Sequence, residues 1–198
     1  VLSELLTTTV GRLRRLVADH RVEIASHQCH LPKSDHALSL ARRGSSSVSR
    51  MLTTIQGRVL GCLLEKERTT PDQYPLTLNA LVLACNQSTS RDPVMHLVDH
   101  EVETVLAGLK SESLLRYVHP SHGRSVTRYR QVADEAWALD PPAAALVAVL
   151  LLRGPQTVAE LRTRTERMHA FESPEAVETV LRELSLRGRV QLLDRQPW

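Results

Sequence analysis

The 198-residue sequence is 42 % hydrophobic but only 3 % aromatic, so any core must be built from Leu, Val and Ala. No apolar run approaches the ~20 residues needed to span a bilayer, no charged-then-apolar leader with a cleavage site stands at the start, and Cys29, Cys62 and Cys85 have no paired spacing. The net charge of +3 is uneven: residues 1–50 hold eight basic and four acidic residues, the remainder seventeen basic and eighteen acidic. These features exclude a transmembrane helix, a disulfide framework and a uniformly basic nucleic-acid binder, and predict a cytoplasmic protein with reduced thiols.

Residues 1–50 read as a tail. Leu2, Leu5, Leu6, Leu13, Leu16 and Val17 can line one short helix, but from His27 onward the composition is polar and disordered in type, through Arg42-Arg43-Gly44-Ser45. His27, Cys29 and His30 lack a second ligand pair, so no metal site is expected. Met51 stands just before the first well-patterned helix, which suggests it as the natural start and residues 1–50 as an upstream, dispensable extension.

A first module is expected over residues 51–137. Ile55, Val59, Leu60, Leu63 and Leu64 form a helical stripe, and a second helix is predicted from Leu76 to Cys85 after Pro75. The polar connector Asn86 to Pro93 follows, and Asp99 is placed to cap a third helix ending near Glu112. Next come a strand over Leu114–Val118, a turn at Pro120-Ser121-His122-Gly123, and a return strand from Arg124 to Val132. A second module is expected over residues 138–198. Pro141-Pro142 opens it, Thr157 and Glu160 form a capping box, Ser173-Pro174 caps a helix, and Gly188 ends that helix. A strand begins at Arg189, but the sequence reaches Trp198 before a returning strand can form, so the second hairpin is expected to be incomplete.

The pentapeptide Val102-Glu103-Thr104-Val105-Leu106 recurs as Val177-Glu178-Thr179-Val180-Leu181, 75 residues later, and each copy continues to a leucine, Leu109 or Leu184. That period suits two small tandem units rather than a solenoid. The expected fold class is mainly α with small β-hairpins (α+β), as two tandem winged helix-turn-helix domains.

Longer stretches add a family resemblance. Arg58 to Lys66, Thr69 to Leu76, Ala84 to Gln87, Arg91 to Met95, and Leu150 to Gly154 with Gln156, Thr157 and Glu160 to Arg162 closely resemble the YceH family of bacterial proteins. The resemblance covers about residues 52 to 196 and implies a tandem winged-helix fold with no established activity. The first fifty residues have no counterpart in that pattern, and its usual C-terminal continuation is missing, which bears on any C-terminal oligomerisation element.

The fold type points to DNA. Arg124, Arg128 and Arg130 share one parity along the return strand, where alternate residues lie ~6.6 Å apart, a spacing comparable to backbone phosphates, and Arg116 on the partner strand can join them. Thr104 and Lys110 are outward on the third helix and would face the groove. Glu101 and Glu103 at its N-terminal end oppose phosphate approach, or simply complement the helix dipole. Asn86, Gln87, Arg91 and Asp92 form either a ligand or partner loop or a loop that bonds its own backbone. No catalytic constellation, phosphate loop, cofactor motif or metal spacing is present, so no enzyme is expected. The expected partner is DNA in transcriptional or chromosome-associated regulation, with a homodimer as one assembly. The alternative is a protein-interaction adaptor that uses the same domains for docking.

Overall fold

A computed structural model of the chain describes residues 21–24, 52–119 and 126–193. In chain order the elements are β1 (Arg21–Ile24), α1 (Thr54–Thr69), a 3-10 turn (Pro71–Gln73), β2 (Leu76–Thr77), α2 (Leu78–Cys85), α3 (Asp99–Ser111), β3 (Leu115–Val118) and β4 (Arg128–Gln131), followed by α4 (Ala133–Trp137), α5 (Pro141–Arg153), α6 (Val158–Thr165), α7 (Pro174–Leu186) and β5 (Val190–Leu193). The fold is therefore α+β, helices with two small antiparallel sheets, one of strands β2-β4-β3 and one of β1-β5.

Local chemistry sets most helix starts. Thr53 and Gln56 cap α1 reciprocally, Gln56 N–H donating to Thr53 Oγ1 at 3.2 Å and Thr53 N–H to Gln56 Oε1 at 2.8 Å. Thr157 and Glu160 repeat this box at α6, and Ser173 Oγ accepts from Ala176 N–H at α7. Two starts differ from expectation. Leu76 and Thr77 are not helical but pair with Tyr129 and Arg128 of β4, because the sheet edge offers their backbone a ladder, and Thr77 then caps α2. Asp99 is the first residue of α3 rather than its cap. The longer Glu101 side chain reaches back to accept the Val98 N–H at 3.0 Å.

The sequence repeat is a structural repeat in strict register. Both α3 and α7 have thirteen residues, and 75 positions separate them, as they separate β3 from β5. Val102, Leu106 and Leu109 are buried on α3, and Val177, Leu181 and Leu184 on α7. Both helices end alike. Leu114 N–H reaches Leu109 O across the left-handed Ser113, and Arg189 N–H reaches Leu184 O across the left-handed Gly188.

The first helices of the two halves, α1 and α5, lie against each other at the centre. Gly61 permits this: a Cβ there would stand 3.0 Å from Leu151 Cβ and Leu152 Cγ. Around the α1–α5 pair the buried residues form one continuous cluster, running from Val59 and Leu64 through Leu146 and Leu152 to Leu181 and Leu184. The two repeats thus share a core instead of each closing its own. Residues 21–24, which the sequence assigns to a tail, form β1 and pair antiparallel with β5, Arg21 opposite Leu193 and Ile24 opposite Val190. β5 is thereby paired with a strand from a much earlier part of the sequence.

Candidate functional site

The hairpin β3-β4 alternates strictly. Tyr129 and Gln131 point inward, Arg128 and Arg130 outward, and the register sets Arg116 opposite Arg130 and Val118 opposite Arg128. Directly opposed residues share a face, so Arg116, Arg128 and Arg130 lie together on the outer side. Arg124 and the turn at 120–123 lie outside the described residues.

These arginines are not unpartnered. Glu135, from the short helix α4 that sequence patterning does not predict, stands 3.3 Å from Arg116 and 3.6 Å from Arg130. Arg128 Nη1 donates to the Pro75 carbonyl at 2.8 Å. Arg116 and Glu135 are well exposed and Arg130 is partly so, at 39 % of its side chain. Such pairs contribute roughly 0–1 kcal/mol. These ion pairs therefore hold the arginine face only loosely.

Thr104 and Lys110 do not join that surface as one patch. Thr104 Oγ1 donates to His100 O at 2.8 Å on the exposed side of α3. Lys110 Nζ sits 4.2 Å from the centroid of the Tyr117 ring, and Tyr117 packs edge-on against Tyr129 with centroids 5.1 Å apart. Tyr117 and Tyr129 belong to the face of the hairpin opposite to Arg116 and Arg130. Lys110 and the arginines consequently flank the hairpin from two sides. Glu101, engaged with the Val98 N–H, serves the helix terminus.

The connector is held by its own chain. Asn86 clamps Leu97 at two points, Nδ2 to the carbonyl and N–H to Oδ1, both at 2.7 Å. Arg91, whose side chain is fully buried, donates to both carboxylate oxygens of Glu65 (3.2 and 2.6 Å), to Gln87 Oε1 at 2.8 Å and to the carbonyls of Ala84 and Ser90. Asp92 N–H reaches across to Leu152 O on α5 at 2.9 Å, while the Asp92 side chain is exposed.

Sequence reading missed two parts of this assembly. Arg58 lies within the apolar run of α1, is 1 % exposed, and donates to Cys85 O at 3.0 Å and Pro93 O at 2.6 Å. Burial holds its guanidinium below the usual arginine range. A cation inside an apolar stripe was the available signal. Tyr74 is the second: its hydroxyl accepts the Gln131 N–H at 2.7 Å and anchors β4 to the segment before α2, and burial together with Glu67 pushes its pKa up. Among the described residues no group of three His, Cys, Asp or Glu is placed to hold a metal, and no helix is long and apolar enough to cross a membrane. The His27-Cys29-His30 group lies outside them.

The arrangement defines an α+β protein of helical repeats, each with a small appended antiparallel sheet. Comparison with known proteins places it in a family. Residues 52–198 match the model described as "Protein of unknown function, DUF480". A UPF0502 protein of Geobacter sulfurreducens is 50 % identical over 149 residues, covering 74 % of this chain and 67 % of its own. One from Geotalea uraniireducens is 54 % identical over 136 residues (69 % and 61 %), and one from Azotobacter vinelandii 46 % over 156 residues (79 % and 69 %). The chain belongs to this bacterial family and spans about two thirds of the length of these relatives.

Proposed function

We propose that the chain is a non-enzymatic, cytoplasmic DNA-binding protein built on two winged helix-turn-helix units, acting in transcriptional or chromosome-associated regulation. In this reading α1, α2, α3 and the β3-β4 hairpin make the first unit, and α5, α6, α7 and β5 with β1 make the second. The observation that carries it is the outer hairpin face, where Arg116, Arg128 and the partly exposed Arg130 stand in register, held among the described residues by a surface carboxylate and one carbonyl. Phosphate contact by such a face supplies position and affinity without sequence readout.

Two substitutions with opposite signs test it. In a DNA titration of the full chain across salt concentrations, Arg128→Ala is expected to weaken binding alike for all sequences and reduce the salt slope by about 1. Glu135→Gln, which releases Arg116 and Arg130, is expected to strengthen it. Unchanged affinity in both variants would remove the hairpin from the reading.

A second reading, a protein-docking adaptor, is favoured by one specific feature. Lys110 is turned onto Tyr117, and the exposed side of α3 presents Glu103, a surface poorly suited to a phosphate-lined groove. Retention of a protein partner by Arg128→Ala and its loss on Glu103→Arg would support that alternative.

A further inference from the structure

A cleft of about 450 Å³ lies between the two halves of the chain and shares no residue with the hairpin face. The end of α1 and the loop after α2 form one wall, and the ends of α5 and α6 the other. Four cations line it, Lys66, Arg153, Arg164 and Arg167, against two carboxylates, Glu65 and Glu166. Glu65 is paired with the buried Arg91 at 2.6 Å and also stands 3.9 Å from Lys66, and Arg164 is held by Glu160 at 3.3 Å. Neither Arg153 nor Arg167 forms an ion pair with any described residue.

The cleft therefore keeps positive charge that the chain itself does not cancel. Arg153 is half-buried at the end of α5, where burial, then Arg164 and Arg91, hold its guanidinium below the usual arginine range. An anion beside it would oppose both effects by favouring the charged form. The walls are preformed: Arg91 ties the connector to α1, and the Asp92 N–H to Leu152 O bond ties it to α5. Val149 and Leu152 add an apolar lining.

We propose that this cleft binds a small phosphorylated molecule, with Arg153, Arg167 and Lys66 holding the phosphate. Guanidinium groups match phosphate oxygens in pairs, and an ammonium adds a point charge. The volume falls in the range of small-molecule sites, roughly 300–1,000 Å³, and exceeds what a bare ion needs. Walls drawn from both halves of the chain bound a volume suited to one small ligand rather than a duplex.

The test is calorimetric titration of inorganic pyrophosphate into the full chain at constant ionic strength, beside Arg153→Gln, Arg167→Gln and Arg128→Gln. The expected result is one saturable site, weakened at least tenfold by Arg153→Gln and by Arg167→Gln and unchanged by Arg128→Gln. Absence of saturable binding overturns the proposal, and so does equal weakening by all three variants, which would mean diffuse cationic attraction. If the cleft cations only neutralise helix C-terminal carbonyls, the two cleft variants will melt earlier at unchanged pyrophosphate affinity, which also overturns it. Should Arg153→Gln fail to fold, the exposed Arg167 decides by the same criterion. Either outcome leaves the DNA reading standing, since that rests on Arg116, Arg128 and Arg130.

Discussion

Ser113 and Gly188 occupy equivalent positions of the repeat, one residue past the C-caps of α3 and α7, with φ of 59° and 64°. Glycine adopts this region without a Cβ penalty, whereas serine is strained there. Set against the larger chain entropy that glycine loses on folding, Ser113→Gly is expected to stabilise the protein by about 0.5–1 kcal/mol. Urea denaturation measures this, and an unchanged or lower midpoint would remove the strain argument. Glu65 offers the opposite case. Arg91 has no exposed side-chain surface and relies on both Glu65 oxygens. Removing one member of a buried pair strands the other charge, so Glu65→Gln should destabilise by about 3 kcal/mol. A loss below that of a typical surface substitution, about 0.5 kcal/mol, would show that Arg91 is satisfied by the carbonyls and Gln87 alone.

The central helix α1 carries two glycines on the side that meets α5, and their surroundings differ. At Gly57 an added Cβ would touch Leu151 Cδ2 at 3.4 Å, whereas at Gly61 it would meet Leu151 and Leu152 atoms at 3.0 Å. Alanine favours a helix interior over glycine by up to ~1 kcal/mol, but overpacking a tight core costs about 1–3 kcal/mol. Gly57→Ala is therefore expected to be neutral or stabilising and Gly61→Ala destabilising, a split readable from two melting curves. Equal effects would mean that α1 and α5 can separate slightly without loss. Residue periodicity marks both helices as amphipathic or apolar; it carries no sign that they meet through glycine.

For the molecule as a whole, the shared core predicts cooperative behaviour. Arg187 Nη1 donates to Ala138 O at 2.9 Å, and Arg189 lies 5.6 Å over the Trp137 ring, so the turn that follows α7 also grips the segment that joins the repeats. Unfolding followed by Trp137 fluorescence and by far-ultraviolet circular dichroism should give a single, coincident transition. Trp198 would be replaced by Phe so that Trp137 is the sole tryptophan reporter. Two separated transitions would show that each repeat folds by itself and that the α1–α5 contact is secondary.

Much of this architecture was legible in the sequence because its determinants are local. The stripes of α1, α3 and α7, the box at Thr157, the cap at Ser173 and the stop at Gly188 all act within a few turns of the chain, and the 75-residue duplication repeats them. The outward parity of Arg128 and Arg130 followed from strand alternation alone. Tertiary structure decided what those elements meet. It brought Glu135 onto Arg116 and Arg130, turned Lys110 onto Tyr117, placed Glu65 on Arg91 and paired β5 with a strand from the start of the chain. Each of these joins side chains or backbones through packing geometry, which periodicity does not encode. A helical or strand period states which face of an element is buried, while the neighbour that covers that face is chosen only when the whole chain packs.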